Sequence, residues 1–119
     1  MKVKVNEMVN AVESIKVLSE KVMKVKVSYL LSLLAMSMEV SFNEFNKKRD
    51  ELVKKFGESE DNINYKIKPE LGPDYTKEME DLLNVEIDVN STPLHLKDIE
   101  DVEVEAKVIM GLYPFIISD

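Results

Sequence analysis

Apolar positions recur at three- and four-residue steps through the first half of the chain and at two-residue steps through parts of the second. Met8, Ala11, Val12, Ile15 and Leu18 follow the first rule, which places them on one face of an α-helix. This predicts a helix over about 7–20, with the Asn6 side chain at its N-cap. Ahead of it, "MKVKV" alternates, predicting a short edge strand or extended arm with Val3 and Val5 on one side. A second "MKVKV", Met23 to Val27, runs straight into another helical pattern and reads as a connector and first turn.

That next pattern is the strongest in the sequence. Leu30, Leu33, Leu34, Met38, Phe42, Phe45, Leu52, Val53 and Phe56 form one stripe without proline or glycine until Gly57, where a C-cap is expected. A helix over 27–56 would be ~45 Å long. Glu44 and Lys48 are spaced as an i,i+4 pair, and Lys54 and Lys55 complement the negative end of the helix dipole. The N-terminal half of this helix is apolar on a second face. Tyr29, Leu31, Ala35, Met36 and Val40 lie off the main stripe, and the first helix can cover only one side. These five residues are the expected partner interface.

The remainder alternates and breaks often. Ile63, Tyr65 and Ile67 suggest a short strand on one face, and Pro73 opens a helix with Tyr75, Met79, Leu82 and Leu83 inward. Val85, Ile87 and Val89 alternate with polar residues as in a half-buried strand. Loop or short strands are expected after Pro93, then one helix over about 104–112, ended by Gly111 and Pro114. The fold expected is α+β: an N-terminal helical hairpin with one long helix, and a small C-terminal α/β cap of short strands and helices. Residues 1–119 are read as a single domain, with a helical half over 1–57 and an acidic α/β half over 58–119.

Charge sharpens this division. The formal net charge of −7 divides into +4 for residues 1–57 and −11 for residues 58–119. A chain polarised in this way can pack its halves together, stack head to tail, or offer an acidic face to a basic partner. Lysines that alternate with valines, without interleaved aromatics, do not make a nucleic-acid motif. There is no cysteine, which removes disulfides and thiolate metal sites. The N-terminus lacks the unbroken apolar core of a signal peptide. The most apolar run, "YLLSLLAMSMEV", is shorter than the ~20 residues of a membrane span. It is read as buried protein surface, and no membrane partner is expected.

Candidate chemistry is sparse. His95 is the sole histidine, so any catalytic triad would have to be built around it. Asp98, Glu100, Asp101, Glu103 and Glu105 supply oxygen atoms for a hard cation, but there is no glycine-pivoted calcium loop, and their spacing also suits an exposed acidic face. Glycines 57, 72 and 111 are isolated and make no phosphate loop. No catalytic residue, cofactor or metal is assigned. Met23, Met36 and Met38 beside the leucines suit either a core or an adaptable groove.

Two segments carry a resemblance. Arg49, Leu52, Lys55, Phe56, Gly57 and Glu58 match an Arg-x-x-Leu-x-x-Lys-Tyr/Phe-Gly-Glu pattern, and Asp81, Leu82, Leu83, Glu86 and Ile87 loosely match a second. In these and in its order of elements, the chain resembles a group of small, functionally uncharacterised proteins of tailed bacteriophages and prophages of Gram-positive bacteria. Residues 58–72 depart from the longer, glycine-bearing loop of that group. The resemblance implies a non-catalytic phage protein acting in the host cytoplasm. The resulting expectation is an interaction or assembly protein, homo-oligomeric through the long helix or bound there to a phage or host protein. The alternative is an inhibitor or adaptor that binds a basic host protein through the acidic half.

Overall fold

The structure, a computed structural model, describes residues 1–118. A strand β1 (Lys2–Lys4) leads into helix α1 (Val5–Leu18), and a short connector leads into helix α2 (Val25–Phe56). A hairpin of β2 (Gly57–Glu58) and β3 (Lys66–Ile67) follows, then α3 (Gly72–Leu83), β4 (Glu86–Asp88), β5 (Leu94–His95), α4 (Leu96–Ile99), α5 (Ala106–Gly111) and β6 (Ile116–Ile117). The α+β expectation holds. At ~1.5 Å per residue α2 spans ~48 Å, so it sets the longest extent of the molecule, 49 Å against 28 and 23 Å.

α1 begins two residues before its expected start, and Asn6 is not its cap. The N-cap is Lys4, whose N–H donates to the Glu7 carboxylate at 2.9 Å. Val3 and Val5 are both buried, as their alternation required. β1 pairs antiparallel with β4 in the register Lys2↔Asp88, Val3↔Ile87, Lys4↔Glu86. Opposite charges therefore face each other on the exposed side while the apolar pair faces inward. The N-terminal ammonium donates to the Val89 carbonyl at 3.2 Å. A second link between the oppositely charged halves is Lys55 with Glu78 at 3.2 Å.

One core draws on the whole chain. Met8, Ala11 and Leu18 of α1 meet Leu34 and Met38 of α2, and Val89, Leu94, Val108, Leu112 and Phe115 close the cluster from the C-terminal side. α1 thus lies between α2 and α5. It can approach α5 closely because Ala11, Ser14 and Gly111 are small: a Cβ on Gly111 would collide with the Ser14 hydroxyl and come 2.9 Å from the Asn10 carbonyl oxygen. The far half of α2 packs on α3, with Phe56 edge-on to Tyr75 at 6.3 Å. Gly57 ends α2, though not in the left-handed cap conformation expected of it. Its φ is −111°, and it must be glycine because a Cβ would lie 2.5 Å from the Val53 carbonyl oxygen and 3.0 Å from that of Lys66.

The strand expected over Ile63, Tyr65 and Ile67 shrinks to Lys66–Ile67, and Ile63 is exposed. Asp61 overrides the alternation. Its carboxylate accepts from the Asn64 N–H at 2.8 Å, the Ile63 N–H at 2.9 Å and the Ser59 hydroxyl at 2.9 Å, tying the loop into a knot in which Asn62 takes a positive φ of 61°. The Asn64 and Ile63 N–H groups, then Ser59, hold the Asp61 carboxyl well below the usual carboxylate range. A depressed pKa means that the loop's order is fully present above the ordinary aspartate value of ~3.9 and is lost as pH falls through the lower folded value. Asp61→Ala is expected to speed amide exchange at Ile63 and Asn64 at neutral pH while leaving the global unfolding midpoint in place. Unchanged exchange would show that the backbone alone holds the loop.

Candidate interaction surface on the long helix

A helix turns about 100° per residue, so positions on α2 can be placed around its axis. Val27, Leu31, Leu34, Met38 and Phe45 are buried and fall within an arc of about 60°. Val25, Tyr29, Leu33, Met36 and Val40 fall within an arc of about 80° on nearly the opposite side, with exposures of 85%, 63%, 36%, 67% and 82%. α2 is therefore apolar at both poles, and among the described residues only one pole is covered. Eighteen residues make five turns, so the same outward arc continues as Asn43, Lys47, Glu51 and Lys54, all exposed. One face is bare hydrocarbon for ~22 Å and then wholly polar. Scattered surface leucines and valines are ordinary, whereas a contiguous exposed row marks a contact surface.

The expected interface changes membership. Tyr29, Met36 and Val40 are exposed as the interface requires. Leu31 is not: it is 3% exposed and belongs to the core. Leu33, expected on the inward stripe, takes the outward place, and Ala35 is half-buried. Val25 completes the row, although the sequence reading had it in a connector. Beside the row, Ala35, Met36, Met38 and Phe42 of α2 and Val12 and Ile15 of α1 line an apolar groove of about 310 Å³, with Lys16 and Glu39 at its rim. Met36 makes the row and the groove continuous.

By length and composition α2 is able to cross a membrane, with a best 18-residue window of mean hydropathy 1.4. Counting only the unbroken apolar run missed this. The interrupting serines add little polarity, because Ser32 and Ser37 donate back to the carbonyls of Ser28 at 3.0 Å and Leu34 at 2.6 Å. Only 22% of that window is buried, yet Leu31, Leu34 and Met38 within it are locked into the core with α1 and α5.

The acidic residues do not converge. Asp98 is half-buried in α4, and Glu100, Asp101, Glu103 and Glu105 are exposed between α4 and α5, with Glu105 paired to Lys107 at 3.3 Å. Among the described residues no group of three or more His, Asp or Glu side chains is placed to hold a metal ion. His95 lies half-buried on β5. No family model matches the chain, and neither a curated protein nor a solved structure matches it.

Proposed function

We propose that this chain is a non-catalytic assembly protein that associates with a second copy of itself through the outward face of α2, as a phage-type interaction protein would. The observation that supports this most is the row Val25, Tyr29, Leu33, Met36 and Val40, which ends abruptly at Asn43 on the same face. Burying a side chain of this size contributes roughly 1.5–3 kcal/mol. Even half of that, over the ten side chains of a symmetric pair, is comparable with the roughly 4–15 kcal/mol lost on association. A moderate, concentration-dependent dimer is therefore expected rather than an inseparable one.

Light scattering coupled to size exclusion, over a concentration series at low and high salt, tests this. The expected result is a mass rising from one chain toward two, with little salt dependence, since apolar burial is not screened. A single-chain mass at every concentration would overturn the proposal. If that monomer floated with vesicles, the row would belong to a lipid surface. If high salt dissolved the dimer, the contact would be between the basic and acidic halves instead.

A further inference from the structure

The spacing of the row carries more than a site of contact. Its positions, 25, 29, 33, 36 and 40, read almost the same from either end about a centre between Ser32 and Leu33. A second helix laid antiparallel on that centre sets Val25 against Val40, Tyr29 against Met36, and Leu33 beside its own copy. Every apolar residue of one chain then meets an apolar residue of the other, and the row ends where the partner's row ends. Charge selects the same direction. The exposed Lys24 and Lys26 stand at the N-terminal end of the row and the exposed Glu39 near the other, where Glu44 is held by Lys48 of its own chain at 3.9 Å. Antiparallel pairing brings each basic end beside the partner's acidic end, whereas parallel pairing would set like against like. In the antiparallel register Lys26 lies level with Glu39 of the second copy. Antiparallel helices also bring opposite dipole ends together.

We infer that two copies of this chain pair as a twofold-symmetric antiparallel dimer of α2 helices, with the dyad at Ser32–Leu33. This rests on the proposed self-association and adds its geometry. The absence of cysteine allows single cysteines to be introduced one at a time. Tyr29→Cys, Leu33→Cys and Met36→Cys all lie on the exposed face, so each variant should fold. In the antiparallel pair, position 29 of one chain lies seven residues along the axis, ~10 Å, from position 29 of the other. That is too far for a disulfide, which needs Cα atoms within about 7 Å.

Under mild oxidation Leu33→Cys should crosslink, Tyr29→Cys alone and Met36→Cys alone should not, and an equal mixture of those two should approach the crosslinked share that random subunit exchange permits. Efficient crosslinking of Tyr29→Cys with itself, and no gain on mixing, would overturn the antiparallel arrangement while leaving self-association through α2 intact. Failure of Leu33→Cys to crosslink, together with a single-chain mass for the unaltered protein, would overturn the self-association as well.

Discussion

Gly111→Ala should destabilise the fold by about 1–3 kcal/mol, the usual range for forcing an extra methyl into a packed contact. In a chain of this size that is a fall of roughly 4–12 °C in the thermal midpoint. The reason lies in how α1 is held. Its buried side meets α2 through Met8, Ile15 and Leu18, and its other side meets α5, where a Cβ on Gly111 has no room beside Ser14 and the Asn10 carbonyl. The Ser14 side chain can be shortened but the Asn10 carbonyl cannot, so adding Ser14→Ala should recover part of the loss and leave the rest. Such coupling between touching sites departs from additivity. Gly72→Ala serves as the control, since an added methyl there meets open space. It should shift the midpoint little, because a following proline disfavours a helical conformation at any residue with a Cβ and offsets the entropy gain. An unchanged midpoint for Gly111→Ala would mean that α1 and α5 are not held at this distance in solution.

Much of this architecture was legible in the chain because it is local. An uninterrupted helical pattern with lysines in its last turn and a glycine after it could only be one long helix, and α2 runs over Val25–Phe56. The alternation of Val3 and Val5 foretold their burial, and Pro73 sits in the first turn of α3 as expected. What was not legible depended on distant contacts. In "LLSLL" the 3.6-residue period marks two leucine rows without saying which faces inward. α1 and the C-terminal segments decide that, burying Leu31 and Leu34 and leaving Leu33 outside. The two-residue parallel pairing of β5 with β6, Leu94↔Ile116 and His95↔Ile117, leaves no periodic trace at all. Ile63 misled because alternation was weighed without the competing hydrogen bonds of Asp61. The candidate site was half legible for the same reason: two-sidedness is a property of one helix, but membership of each side belongs to the packed molecule.

That difference sets the last and largest expected effect. Met36→Glu combined with Val40→Glu should convert the proposed dimer to a monomer without unfolding it. Both positions are well exposed in the single chain, at 67% and 82%, so the carboxylates stay hydrated until a second helix approaches. Pairing would then bury four of them: the two at position 36 would face the partner's Tyr29 with no cation level with them, while the two at position 40 would be only partly offset by the partner's exposed Lys26. Desolvating each unpaired charge costs several kcal/mol, so affinity should fall by at least about a thousandfold, or roughly 4 kcal/mol. The sign with pH follows directly. Burial in the dimer would raise these carboxyl pKa values, so association should begin to return as pH falls toward the ordinary glutamate value of ~4.3 and be fully restored below it. Lys47→Glu, on the polar continuation of the same arc, should leave the mass unchanged. Leu31→Glu should do the reverse of the double variant, placing a charge among Leu34, Met38 and Leu94 and unfolding the chain itself. A double variant still dimeric at neutral pH would take the outward face of α2 out of the interface, whatever the unaltered protein's mass.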